Sequence, residues 1–219
     1  MRKGTKINPV IAQPETVAPA PVKALRLDLG CGQNPRVDPV TNEKFTGVDI
    51  WDGAEVVCDL FKFPWPFESC SVDEIFSSHF FEHIPQDLRF KFMDEIHRIL
   101  KPCGCEKECP QQQMNSTPCP VAGAKATFIT PYYSSVRATQ DPTHQWPPIS
   151  ENSYLYFNKM WRKVNGLDHY DVKCDFDFTY GYIPDAEAMS RATETQAFWF
   201  KHYVNAISDI QVTLIKRGK

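Results

Sequence analysis

Nowhere in the 219-residue chain do apolar residues run uninterrupted for the roughly 18 positions that a membrane-spanning helix needs. Arg2, Lys3 and Lys6 open the chain, but no apolar stretch follows them, so no secretory leader is expected. Glycine is scarce, at 10 residues, far too few for a collagen-like repeat, and no internal repeat of any period is visible. An excess of charge of either sign is also missing, since the net charge is −3. The first 24 residues hold Arg2, Lys3, Lys6 and Lys23 against Glu15, which leaves the remainder near −6. An acidic body is a poor match for nucleic acid, whose binding rests on phosphate neutralisation. These absences predict a cytoplasmic protein with no membrane and no nucleic-acid partner; they leave the oligomeric state open.

What is present suits one domain. Hydrophobic residues make up 42% and aromatics 13%, enough for a sizeable core. Residues 1–24 are rich in Pro and Ala, lack aromatics and read as a disordered arm; residues 25–219 read as the folded domain. Alternation predicts strands at 24–29, 46–50, 55–58, 72–77, 125–130, 169–182 and 207–215. Helical spacing predicts helices over 86–100, from Ser150 to Gly166, and from Pro184 to about Tyr203. Strands alternating with helices indicate an α/β, doubly wound sheet, in which ligands bind at the carboxyl ends of the strands. Only thirteen residues separate Gly32 from Thr46, and Pro35, Pro39 and Asn42 lie among them. The first crossover helix is therefore expected to be short or missing.

The densest chemistry follows the first strand, at Asp28-Leu29-Gly30-Cys31-Gly32-Gln33-Asn34-Pro35. Glycines there let backbone approach a ligand that a Cβ would block. Asp49, at the end of the second strand, is placed to accept the two hydroxyls of a ribose. Pro35 stands where a dinucleotide site would want a third glycine, and no helix N-terminus follows to receive a pyrophosphate. A nucleoside without phosphates fits better, and Asp28 suits an ammonium group beside it.

Four segments in order, LDLGCG (27–32), GVDI (47–50), VVCDLFKFPWPFESCSVDEIFSSHFFEHI (56–84) and the helix ending RILKP (98–102), resemble class I S-adenosylmethionine-dependent methyltransferases, most closely the type 11-like group. The resemblance implies a Rossmann-like, seven-stranded sheet and S-adenosylmethionine as cofactor. It places Asp28, Gly30 and Gly32 along the methionine part and Asp49 on the ribose. Asp59 and the backbone of Leu60 would hold the adenine amino group, and Ser78 or His79 would close the pocket. Cys31, Asn34 and Ile50 complete the implied set. No Asp/Asn-Pro-Pro-Tyr/Phe run follows the fourth strand, where amino-methylating DNA enzymes carry one; Ser77-Ser78-His79-Phe80 stands there instead.

The implied activity is methyl transfer to an O or N acceptor, with a small-molecule acceptor expected. A non-catalytic binding or assembly module and an aminopropyltransferase-like enzyme are the alternatives. The irregular stretch from Pro131 to Ser150 carries Tyr132, Tyr133, Arg137, Asp141, His144 and Trp146 and reads as an acceptor lid. His79 and His144 are the candidate catalytic bases, facing each other across the transferred methyl group. Glu82-His83 reads as a strand-to-helix corner. A Cys-rich insert at 102–123 holds Cys103, Cys105, Cys109 and Cys119, which structural zinc could organise, with free thiols or disulfides as the alternatives.

Overall fold

The computed structural model describes residues 23–102 and 124–217. Seven strands form one sheet in the order β3-β2-β1-β4-β5-β7-β6. They are β1 (Arg26–Leu29), β2 (Thr46–Asp49), β3 (Val56–Val57), β4 (Glu74–Ser78), β5 (Lys125–Pro131), β6 (Phe176–Pro184) and β7 (Ile207–Lys216). β1 runs parallel to β2 and β4, and β4 to β5, whereas β7 is antiparallel to both β5 and β6. The carboxyl ends of β1, β2 and β4 therefore meet on one edge, where the sequence concentrates its glycines and acids. No described helix is long and apolar enough to cross a membrane.

The sheet has two unlike faces because its strands alternate. Leu27, Leu29, Ile75, Ala126 and Phe128 turn to a dry side and are almost wholly buried. The helix α1 (Arg89–Ile99) covers that side with Phe92, Met93, Ile96 and Ile99, all at 0% exposure. It stops at Leu100, whose backbone is extended, just before Pro102. Tyr154, Phe157 and Phe176 complete this core.

The opposite face carries Arg26, Asp28, Glu74 and Phe76, and no helix joins β1 to β2. The expected absence of the first crossover helix is what the structure has. Its place is taken by an irregular loop closed by a bridge between Val37 and Lys44. The Arg36 guanidinium lies 4.0 Å from the Phe76 ring centre, and Arg26 pairs with Glu43 at 3.1 Å.

Three sequence-based boundaries need correction. The strand expected at 169–182 is Phe176–Pro184. The helix expected from Ser150 to Gly166 is two short ones, α3 (Asn152–Leu155) and α4 (Lys159–Val164), because the Asn158 side chain caps α4 by accepting from the Trp161 amide at 2.8 Å. The helix expected after Pro184 is likewise split, into α5 (Ala186–Met189) and α6 (Thr193–His202). Within the stretch read as irregular, α2 (Val136–Gln140) forms, with Ser135 as its cap.

One buried side chain ties the long loop after β5 to the end of β4. Arg89, 7% exposed, donates to the carbonyls of Ile84 (3.2 Å), Pro147 (2.8 Å) and Gln145 (3.0 Å). The Gln145 amide in turn donates to the Glu82 carbonyl at 2.8 Å. Replacing Arg89 with Met leaves those carbonyls without their charged donor. The substitution should lower stability by about 2–4 kcal/mol in urea unfolding. A loss below roughly 0.5 kcal/mol, the usual range for an inconsequential surface change, would show that the clamp does not hold the loop.

Candidate functional site

The residues expected at the methyl donor come together at the ends of β1, β2 and β4. Gly30 adopts φ +71° and its amide donates to the Val48 carbonyl at 2.9 Å. A Cβ at Gly30 would sit 2.3 Å from the Phe80 ring, so glycine is what lets Phe80 close over the turn. Gly32, at φ +54°, has nothing within 4 Å of where its Cβ would be. Its amide donates to Asp49 Oδ2 at 2.8 Å, and the Trp51 amide donates to Asp49 Oδ1 at 3.1 Å. Two amides thus aim the carboxylate from the end of β2, and each oxygen keeps a lone pair for a further donor.

Asp28, Gly30, Cys31, Asn34 and Ser78 line one hollow of about 510 Å3, with Pro35, Arg36, Val37 and Phe76. Asp28 is 4% exposed, and its Oδ2 accepts from the Arg36 amide at 2.8 Å. Burial raises its pKa to about 6, against the lowering from the Arg36 amide and charge. A carboxyl so placed has an unmet demand for a cation, which an amino-acid ammonium group would fill. Burial, with the nearby Asp28 and Asp49 carboxylates, pushes the Cys31 thiol up to about 11, so it is no nucleophile at neutral pH.

The residues expected to meet the adenine lie along the same edge. Asp49 pairs with Val57 across β2 and β3, which sets Asp59 two residues beyond that pair. The Phe61 amide donates to Asp59 Oδ1 at 3.0 Å and holds that carboxyl below its ordinary range. Leu60 is buried, so only its backbone is available there; its carbonyl accepts from Trp65 Nε1 at 3.3 Å. Trp65 is itself fixed by its amide donating to Glu95 Oε1 at 2.7 Å. Ile50 is exposed, and Phe61 stacks on Phe80 with ring centres 6.0 Å apart. Glycines at the turn, an aimed acid, an exposed apolar strip and a cation-seeking carboxyl fit S-adenosylmethionine.

A second cavity, of about 400 Å3, opens beyond β4. His79, Glu82, His83, Pro131, Arg137, Asp141 and His144 are among its walls. His79 is a non-glycine residue at φ +54°. Its amide donates to the Ile129 carbonyl at 2.8 Å, and its Nδ1 stands 3.5 Å from Glu82 Oε1. That carboxylate raises the His79 pKa above its ordinary value. His144 lies on the same wall, its Nε2 4.0 Å from Glu82 Oε1 and 3.7 Å from Asp141 Oδ2. Asp141 also makes a tight turn, accepting from the Thr143 amide at 2.8 Å.

Of the residues expected in the lid, Arg137, Asp141 and His144 line this cavity, while Tyr132, Tyr133 and Trp146 do not. Tyr132 is buried and donates to Glu151 at 3.1 Å, whereas Tyr133 and Trp146 are exposed. Trp146 is excluded from the wall because Arg89 holds the flanking carbonyls inward. Cys103, Cys105, Cys109 and Cys119 lie outside the described residues, as do residues 1–22 of the expected arm. Arg36, Phe80, Arg89 and Thr143 shape the two cavities, and sequence reasoning assigned them no role.

Residues 27–105 match the family model described as a methyltransferase domain. No curated protein matches the chain. Among solved structures, a SAM-dependent methyltransferase from Archaeoglobus fulgidus aligns at 16% identity and TM-score 0.56, over 88% of this chain and 86% of that one. An S-adenosylmethionine-dependent methyltransferase from Mesorhizobium loti aligns at 14% identity and TM-score 0.42, over 87% and 90%. Geranyl diphosphate C-methyltransferase from Streptomyces coelicolor A3(2) aligns at 14% identity and TM-score 0.45, over 89% and 73%. At such identities the Archaeoglobus likeness is one of fold. The matched segment contains the whole glycine turn, the Asp49 strand and the β4 corner, so the similarity to a methyltransferase domain falls on these residues, and the sheet around them has the Rossmann-like fold of class I S-adenosylmethionine-dependent methyltransferases.

Proposed function

We propose that the chain transfers a methyl group from S-adenosylmethionine to an oxygen or nitrogen of a small-molecule acceptor. One observation carries the reading. Ser78 lines the hollow that holds Asp28 and the glycine turn, and the next residue, His79, lines the second cavity. Donor and acceptor compartments therefore meet at a single peptide, and that peptide leads into a residue at φ +54°. Strained backbone of this kind persists where surrounding structure over-determines it, often at sites of chemistry.

The cofactor supplies a methyl group already activated on a sulfonium, so the chain's own task is alignment and exclusion of water. Asp49 orients the ribose and Asp28 the ammonium end. Asp59 and the Leu60 backbone fix the adenine, while Gly30, Gly32, Cys31, Asn34, Ile50 and Ser78 shape the groove. His79 is the accessible imidazole at the junction and the group placed to take an acceptor proton. His144 lies beside it across the Glu82 carboxylate, on a loop pinned through the Arg89 clamp. The small volume of the second cavity supports a small acceptor over a macromolecular one.

Calorimetry with S-adenosylhomocysteine tests the donor site. Asp49→Ala should weaken binding by about 1.5–3 kcal/mol, or roughly 10- to 150-fold, the scale of hydrogen bonds to a charged group. Unchanged affinity in a folded Asp49→Ala protein would place the nucleoside elsewhere. Turnover is read with methyl-labelled donor and mixtures of hydroxyl- and amine-bearing small molecules. Label should enter the acceptor fraction with wild type; bound donor that is never consumed would leave a binding module.

Protons provide an independent reading of Asp28. Near pH 6 the free protein holds a proton on Asp28 about half of the time. An ammonium group docked on the carboxylate favours the ionised form, so binding near pH 6 should release about half a proton, and almost none near pH 8. Affinity should accordingly weaken as the pH falls below 6. Comparing binding heats in two buffers of different ionisation enthalpy measures the release. An equal release from Asp28→Asn would remove Asp28 from the donor site.

A further inference from the structure

We propose that Glu82, His83 and His144 bind a divalent first-row transition-metal ion at the floor of the second cavity, with an open coordination position that takes an oxygen of the acceptor. The acceptor's role rests on the function proposed above; the ion site itself does not.

The site begins with an unmet group. Glu82 is 4% exposed, and neither of its carboxylate oxygens has a hydrogen-bond partner. The nearest nitrogens, His79 Nδ1 at 3.5 Å and His144 Nε2 at 4.0 Å, stand beyond a good hydrogen bond. A strand-to-helix corner gives no reason for a buried carboxylate whose neighbours are two histidines at ion-pair rather than hydrogen-bond distance, since such groups are normally satisfied. His144 Nδ1 is also buried without a partner.

The third side chain is already oriented. His83 Nδ1 lies 3.1 Å from Thr143 Oγ1, and that hydroxyl donates to Asp141 Oδ1 at 2.6 Å. With its hydrogen given to Asp141, Thr143 Oγ1 can only accept, so His83 carries its proton on Nδ1 and leaves the Nε2 lone pair free. A histidine held by its far nitrogen through a carboxylate-backed partner is the arrangement that tunes metal ligands. One ligand atom from each of Glu82, His83 and His144 lies within 4.8 Å of the others. Atoms bound about 2.1 Å from one ion are roughly 3–4 Å apart, so closing the set takes side-chain shifts of only about an ångström. Two imidazoles with a carboxylate suit zinc, cobalt, iron or manganese rather than magnesium or calcium. Three ligands leave a position facing the cavity that His79 and Arg137 border.

Cobalt(II), added to the full chain with neither donor nor acceptor present, tests the site apart from any methyl transfer. A variant with Cys103, Cys105, Cys109 and Cys119 all replaced by Ser removes the insert as a competing ligand. That variant should bind one cobalt per chain, giving visible ligand-field absorption without a thiolate charge-transfer band. Glu82→Gln or His83→Gln in that background should weaken binding by more than about a hundredfold, and Thr143→Val, which loosens only the orientation, by about 10- to 100-fold. His83 is half-buried, so its variant remains a fair test if Glu82→Gln does not fold. No cobalt on the four-serine chain, or equal affinity in His83→Gln, overturns the proposal.

Discussion

The Arg89 guanidinium joins parts of the chain that are 58 residues apart, and it docks the loop after β5 against the corner that carries Glu82 and His83. Three carbonyls, one from the β4 corner and two from the loop after β5, converge on one planar cation. Its charge is buried against the Phe81 ring, 5.7 Å from the ring centre, where water cannot compete for the same donors. The Gln145 amide on the Glu82 carbonyl continues the seam. His83 and His144 are brought into edge contact, with ring centres 4.7 Å apart, as a result of this backbone docking. The cavity is thus a product of main-chain pairing, on which the side chains are then displayed.

The proposed donor side is built differently. It leans on the sheet, whose parallel register delivers Asp28, Asp49 and Ser78 to one edge, and on close approach at two glycines. Gly30 makes room for Phe80, and Gly47 makes room for Pro35 and Cys31, which a Cβ would meet at 2.6 and 2.8 Å. With no helix between β1 and β2, this loop packs directly on the strands. Arg36 over Phe76 and Arg26 among Asp38, Glu43 and Glu74 take over the cover that a crossover helix would provide.

The strands were legible because alternation in β1, β4, β5 and β7 answers directly to one dry face and one polar face. The missing first helix was legible from Pro35, Pro39 and Asn42, which offer no helical register. The break at Asn158 was not, because the period of apolar residues runs straight through it. Only the tertiary partner reveals it, since the Asn158 amide also donates to the Phe176 carbonyl at 3.0 Å. The glycine turn and Asp49 stood out as chemistry because close approach and ribose recognition demand particular residue types. Glu82 did not, since an acid in a familiar corner looks ordinary until its burial is known. Arg89 and Thr143 act through distant carbonyls and a histidine nitrogen, and no spacing along the chain encodes such partners.

The boundary between Ser78 and His79 divides the molecule in another sense. The proposed nucleoside-side groups all precede it in the chain, and the described walls of the second cavity are His79 and residues after it. A cut in sequence thus coincides with a cut in chemistry. Replacement of the segment from Val136 to His144 exchanges part of one compartment's lining, its Val136, Arg137, Gln140, Asp141 and His144 walls, while the lining of the other keeps every residue it had. New acceptor preferences are therefore reachable by recombination downstream of β4, with an inherited donor half carried along intact.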